Sequence, residues 1–268
     1  MAARNRIAIL SAVVASAVVG GAAHAVPVSG QGTWETTLQA RDLDGNAATT
    51  EAYYDTVLNI TWQANANLAL TEKYGQAPFM TSDGRMERPN AAAWLAGMNA
   101  ASYLGFSDWR FPATFDFGVP GCNPGDGYGG PGQDCGYNSD PATSELANLY
   151  FSTLGNVSLY DTSRQYTECI NIEPRYRCMT NKGLFTNLFD GSYLSGTQVA
   201  GAENVNFLFD TGFGYQAAAG GGYNINVWAV HDGDIGATGV PAPPALWLFG
   251  TGLAGLGGRR WLRRKLAS

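Results

Sequence analysis

Residues 240 to 268 constrain this chain most, because they join a proline-rich lead-in, an uncharged glycine-rich stretch and a basic stop. Val240, Pro241, Ala242, Pro243 and Pro244 run into fifteen residues, Pro244 to Gly258, that carry no charge. At about 1.5 Å rise per residue these span roughly 22 Å as a helix, against a hydrocarbon core of roughly 30 Å. Trp261 and Leu262 lengthen the apolar face while Arg259 and Arg260 snorkel, and the five basic residues at 259–265 favour the cytoplasmic side for this end. The expectation is a transmembrane helix over about 244–258 with a basic stop at 259–265. An amphipathic or core helix is the alternative, disfavoured by the missing polar face.

The other terminus agrees. Arg4 and Arg6 form a basic n-region, Ile7 to Val19 an apolar h-region, and Ala23-His24-Ala25 a small-x-small cleavage site before Val26. Residues 1–25 therefore read as a signal peptide, too short and alanine-rich in their apolar run for a permanent helix. With Ala245-Leu246-Trp247-Leu248-Phe249-Gly250-Thr251-Gly252-Leu253 after the prolines, the tail resembles the PEP-CTERM sorting signal of exosortase-bearing Gram-negative bacteria, in its Val-Pro-x-Pro variant. That resemblance implies a transient inner-membrane anchor cut by an exosortase-type transpeptidase, with delivery to the cell surface or the exopolysaccharide matrix. Val240, Pro241, Ala242, Pro243, Arg259 and Arg260 are the signal residues it implies. Ala242 stands where the name-giving motif has Glu, which bears on which enzyme cuts and where.

Between the signals, residues 26–239 suffice for one large domain or two small ones. Nine basic residues against twenty-two acidic ones give this part a formal charge of −13. Nucleic acid, heparin-like chains and anionic lipid need clustered Lys and Arg, so they are excluded as partners of the exported part. Neutral sugars, cations and other proteins remain. Cys122, Cys135, Cys169 and Cys178 all lie here, and an even count outside the cytoplasm reads as two disulfides. Of three pairings, Cys122 with Cys135 and Cys169 with Cys178 is expected, closing two local loops at about 2–3 kcal/mol each. A zinc site is disfavoured because no C-x-x-C pair and no nearby His accompany them.

Two helices stand out. One starts at Pro89 and repeats Trp94, Leu95, Met98 and Ser102 at helical spacing until Gly105 caps it; the other follows Pro141, with Leu146, Leu149, Tyr150 and Leu154 on one face and Gly155 at its end. Strands are predicted at Thr56–Trp62, Val205–Phe209 and Ile225–Val230, where Ile225, Val227 and Ala229 alternate with Asn226, Trp228 and Val230. Gly121 to Gly136 is a biased loop, and Gly220-Gly221-Gly222 a turn. Helices in front and aromatic strands behind define a single, loop-rich α+β domain.

Longer stretches carry a second resemblance. Tyr54-Asp55, then Leu58-Asn59-Ile60-Thr61-Trp62-Gln63-Ala64-Asn65-Ala66-Asn67, Gly84-Arg85-Met86, Ala93-Trp94 and Gly105-Phe106-Ser107-Asp108-Trp109-Arg110-Phe111-Pro112 follow the order of the Lcl C-terminal domain family. Ser144-Glu145-Leu146, Leu194-Ser195-Gly196-Thr197 and Val227-Trp228-Ala229-Val230-His231-Asp232-Gly233-Asp234 continue it, over about residues 31–235. The resemblance implies a compact extracellular domain similar to the C-type-lectin-like group, used for adhesion or ligand binding, with Trp62, Asp108, Trp109, Arg110, Pro112 and Trp228 as motif residues. Ala113, Leu194 and His231-Asp232 depart from the family's Thr, Trp and Arg-Pro, so a ligand held by those residues in relatives is in question here. Glycosaminoglycan binding, attributed to the adhesin that names the family, fits poorly with −13.

Asp108-Trp109-Arg110 reads as a structural clasp, the guanidinium stacking on the indole and bonding carbonyls near a helix end, in preference to a recognition patch. Asp42-Leu43-Asp44-Gly45-Asn46 has the look of a calcium loop, with Asp42, Asp44 and Asn46 as ligands. No acid follows at the EF-hand closing position, so solvated turn chemistry is the expected reading and no cofactor is assigned. Catalysis has little material: the histidines are His24 and His231, the first removed with the signal. A glycosidase-like pair of carboxylates would need two acids at about 5–10 Å in an open cleft. Thirteen Tyr and seven Trp serve equally as core or as sugar platform. The chain is thus expected to be an exported, non-catalytic surface or matrix protein, with a module for neutral polysaccharide and a carboxylate-dependent glycoside hydrolase as alternatives. Its expected partners are the sorting transpeptidase, the inner membrane through the tail, and exopolysaccharide or other surface proteins.

Overall fold

The computed structural model describes residues 27–171 and 177–236. The segments expected to be a signal peptide and a sorting tail, with Val240, Pro241, Ala242, Pro243, Arg259 and Arg260, lie outside the described residues. Among the described residues no helix is long and apolar enough to cross a membrane.

A short helix, α1 (Trp34–Thr37), leads into three antiparallel strands, β1 (Leu38–Arg41), β2 (Ala52–Asp55) and β3 (Ile60–Gln63). In place of one strand from Thr56 to Trp62, the chain turns at 56–59 and extends only from Ile60. Asp55 causes the turn: its Oδ1 accepts the backbone N–H groups of Val57 and Leu58 at 2.9 and 3.1 Å, and Asn59 closes the hairpin at φ 54°. Asn tolerates that left-handed conformation better than the β-branched residues around it. The last strand, β8 (Val230–Asp232), returns to pair with β3, so the first sheet has the order β1-β2-β3-β8.

The second sheet, in the order β4-β7-β6-β5, is also antiparallel, from β4 (Gly136–Tyr137), β5 (Ser192–Gln198), β6 (Asn206–Asp210) and β7 (Tyr215–Ala219). With few helices and two small sheets, the architecture is α+β.

Helix α2 (Arg88–Ala100) buries Ala91, Trp94 and Met98, a spacing that aims one stripe at the core. It ends a turn earlier than Gly105. Ser102 takes φ 50° and breaks the helix, and Gly105 closes the next, 3₁₀ turn (Tyr103–Gly105). The second expected helix starts at Glu145, not Pro141: Ser144 Oγ caps it, accepting the N–H of Ala147 at 3.3 Å. After α3 (Glu145–Ala147) the chain widens into a π turn, Asn148–Thr153, where Leu154 N–H donates to Leu149 O. This extra width keeps Leu146, Leu149, Tyr150 and Leu154 all buried. Gly155, at φ 66°, abuts the backbone of Gly32; a Cβ there would lie 2.5 Å from Gly32 N, so only glycine closes the contact.

The predicted strand at 225–230 is extended, yet its ladder begins only at Val230, while Ile225 and Asn226 make isolated bridges to Met86 and Tyr193. Its alternation has a different meaning from inside and outside. Ile225, Val227 and Ala229 belong to a core cluster with Trp94, Met98 and Trp109; Trp228 and Val230 belong to a second with Trp62, Tyr150, Phe185 and Phe209. Buried on both faces, the segment is the partition between the two cores. Trp62 and Trp228 meet at 4.9 Å between ring centroids, and truncating either would cost about 3–5 kcal/mol.

Cys122 is bonded to Cys135 and Cys169 to Cys178, with Cα separations of 5.7 and 4.8 Å. The first bridge ties the Gly121–Gly136 loop, and the buried Asp134 carboxylate accepts the N–H of Asn123 within it and of Phe117 just before it.

Candidate functional site

The motif residues from the sequence meet in three dimensions. Arg110 forms a fork with Glu145, two bonds of 2.8 Å, and donates from Nε to Asp232 Oδ1 at 2.7 Å. Its guanidinium does not stack on Trp109. That ring sits edge-on to Phe106 and His231 and donates to Tyr103 O, while its backbone is held from both sides by Asn99. Burial explains the difference: Trp109 is 2% exposed, and an Arg drawn over it would lose its carboxylates. The clasp is therefore carboxylate-based, with one carbonyl contact to Phe111 O. Glu145 and Asp232 carry hydrogen bonds that raise the Arg110 pKa above its ordinary value, Glu145 foremost and against the opposing effect of burial. Asp108 Oδ1 lies 2.7 Å from His231 Nε2. Pro112 O accepts Ser195 Oγ and Gly196 N–H, joining two of the motifs, and Trp228 Nε1–H donates to Gln63 O. The contacts of these six residues join distant segments of the fold.

The acidic loop differs in membership. Asp42 and Asp44 converge with Glu51, an acid added by the fold, and Asn46 Oδ1 accepts Ala48 N–H. Each carboxylate already accepts a backbone N–H: Asp42 from Gly45, Asp44 from Asn46, Glu51 from Leu43. The trio, exposed or half-exposed, is the one grouping of acids among the described residues that could hold a cation, and its hydrogen bonds are those of a turn.

A polar concavity lies on the second sheet. A cavity of about 450 Å³ is lined by Asp83, Arg85, Asp190, Ser192, Asp210 and Asn226, with Phe189, Gly191 and Asn224 completing it. Four segments converge there. The 80–86 hairpin, closed by a Met80–Met86 bridge, supplies Asp83 and Arg85, which pair at 2.9 Å. The start of β5 supplies Ser192, whose Oγ donates to Asp210 Oδ2 at 2.8 Å, and the end of β6 supplies Asp210. Asn226 N–H and Nδ2 both donate to Ser192 O.

The carboxylates differ in environment. Asp210 Oδ1 accepts Gly212 and Phe213 N–H, so this residue caps the β6–β7 turn. Thr81 Oγ–H holds Asp83 below its ordinary range, with Arg85 assisting. Asp190 pairs with Arg177 at 3.0 Å, yet burial raises its carboxyl pKa, opposed by Arg177 and reinforced by Asp210. Cys178 N–H donates to Gly212 O at 2.9 Å, so the second disulfide braces the cleft rim. Such a cleft can accept hydrogen bonds from a hydroxyl-rich ligand through fixed carboxylates and present one aromatic edge, Phe189. The sequence places Arg85 in the Gly84-Arg85-Met86 motif and Asn226 in an expected strand but assigns none of these residues to a site. Asp190-Gly191 and Thr211-Gly212 carry turn chemistry, and they form the bend before β5 and the turn after β6. In comparison with known proteins, no family model, curated protein or solved structure matches this chain.

Proposed function

We propose that this chain is an exported cell-surface or exopolysaccharide-matrix protein, sorted by an exosortase-type transpeptidase through its C-terminal tail, whose domain adheres to a ligand and does not catalyse. The observation that carries this reading is the Cys169–Cys178 bridge: it is chemistry of an oxidising compartment, and it holds the Gly212 turn at the rim of the polar cleft. Support also comes from the two terminal signals and from the order of Lcl-like motifs, on which we place the domain with the C-type-lectin-like group. Its short strands and long, pinned loops suit a binding surface carried on a rigid core. The test is mass spectrometry of the mature protein from cells with and without the sorting enzyme. The expected species begins at Val26 and has lost its basic tail only where the enzyme is present; an unchanged C-terminus in both strains removes the sorting proposal.

Asp190 and Asp210 on one cavity favour a second reading, a carboxylate-dependent glycoside hydrolase. It ranks lower because Asp210 spends both oxygens on Ser192, Gly212 and Phe213 and Asp190 is tied to Arg177. Release of reducing ends from polysaccharide by the wild type, abolished in Asp190→Asn, would establish it.

A further inference from the structure

The cleft does not end at Asp210. Ser192 is the register partner of Asp210, Asp210 of Tyr215, and Tyr215 of Tyr137, so these four side chains share one face in a single row across β5, β6, β7 and β4. With strands about 4.8 Å apart, the row runs roughly 14 Å. Beyond Tyr137 it opens into a group of tyrosines. Tyr137 contacts Tyr160 at 4.9 Å and stacks with Tyr128 at 6.0 Å, and Tyr160 stacks with Tyr166 at 4.5 Å.

This group is built and not accidental. Tyr137 and Tyr160 rest on the Cys169–Cys178 bridge with Leu159 beneath them, and a bridge between Tyr160 and Tyr166 fixes the hairpin that carries the outer ring. Asn138 Nδ2 donates to both Tyr128 O and Tyr160 O, locking the two ring-bearing segments together. Tyr166 is nevertheless 54% exposed. Unlike the chain's scattered exposed aromatics, this ring is stacked and held by a fixed hairpin, so its open face is preorganised. Rigid tyrosines lose little conformational freedom on binding and offer both a flat face and a hydroxyl.

Charge selects the ligand. The three arginines along the row are all paired: Arg164 lies 5.5 Å from the Tyr128 ring centroid and 3.2 Å from Asp126, Arg177 bonds Asp190 and Arg85 bonds Asp83. At the other end of the row stand Asp190 and Asp210, in a domain of charge −13. A polyanion would have to displace a carboxylate from each of these arginines to gain a cation. We propose that the row is one extended site for a neutral polysaccharide: a sugar ring stacks on the open side of Tyr166, which Tyr160 and Tyr128 hold in place from behind, and sugar hydroxyls donate to the carboxylates at the cleft end. This deepens, and rests on, the reading of the domain as a binding module.

The test is native electrophoresis of the full-length chain, in a non-glycosidic detergent, through gels loaded with hydroxyethylcellulose, dextran, galactomannan or the producing cells' exopolysaccharide, with alginate as the anionic polymer. At least one neutral gel should retard the protein and alginate should not. Tyr166→Ala and Tyr128→Ala should each weaken binding about tenfold, Tyr166→Trp should keep it, and Phe115→Ala, at an exposed aromatic outside the row, should match the wild type. No retardation in any neutral gel, stronger retardation by alginate, or unchanged retardation of the Tyr128→Ala/Tyr166→Ala double variant overturns the site. Retardation accompanied by reducing ends that vanish in Asp190→Asn would keep the row and sink the non-catalytic reading. Absent retardation in a chain whose C-terminus still responds to the sorting enzyme would sink the row and leave export standing.

Discussion

Replacing Glu145 by alanine isolates the clasp that joins three distant segments. Glu145 accepts two bonds from Arg110 and one from the backbone N–H of Ala113 at 2.7 Å, so the substitution removes three charge-assisted contacts at once. Breaking a fully buried ion pair costs about 3–5 kcal/mol, because the surviving charge is stranded. Arg110 is 32% exposed and Glu145 17%, so water recovers part of that penalty. The expected loss is about 2–3 kcal/mol, which in a domain of this size lowers Tm by roughly 5–10 °C. Asp232, also bonded to Arg110, is 77% exposed, and Asp232→Ala should cost less than about 1 kcal/mol. Urea unfolding of both variants, with slopes compared to ensure that the unfolded states match, measures the difference. Equal losses in the two variants would refute the argument that burial of Glu145 makes the clasp, and an Arg110/Glu145 double-mutant cycle with no coupling would refute the clasp itself.

Three further outcomes follow from the same geometry. Asp55 is fully buried, its Oδ2 and the Trp62 indole N–H lie near one another outside hydrogen-bonding geometry, and burial raises its pKa. A raised carboxyl pKa means the folded state binds the proton longer, so this contribution is present below the unfolded value near 3.8 and is lost as pH rises through the folded value. Asp55→Asn should therefore flatten the decline of Tm with rising pH above that point, and identical slopes in the two proteins would count against it. Gly214→Ala should destabilise by about 1–3 kcal/mol, because φ is 62° and the new Cβ would sit 2.8 Å from Ser158 Cα; an unchanged chemical-denaturation midpoint would contradict this. Calcium in millimolar excess should leave Tm where it is, since Asp42, Asp44 and Glu51 already cap backbone N–H groups; a rise that Asp44→Ala abolishes would show a bound ion instead.

What the sequence determined by itself is local. The 3.6-residue spacing of Ala91, Trp94 and Met98 defines a helix before any tertiary contact exists, and closely spaced cysteines pair with their neighbours because the shortest loops close first. Alternation at 225–230 marked two different faces correctly. That both faces are interior was decided by tertiary structure, since only the arrival of two separate clusters distinguishes a partition from a half-exposed strand. The same holds for Asp55, whose side chain converts an apolar run into a hairpin through two hydrogen bonds that hydropathy does not register. Arg110 and Glu145 stand 35 residues apart, and Ser192, Asp210, Tyr215 and Tyr137 come from four strands out of chain order. Their meeting depends on strand register, and register is a property of the closed sheet: a slip of one residue would send every side chain of the row to the opposite face.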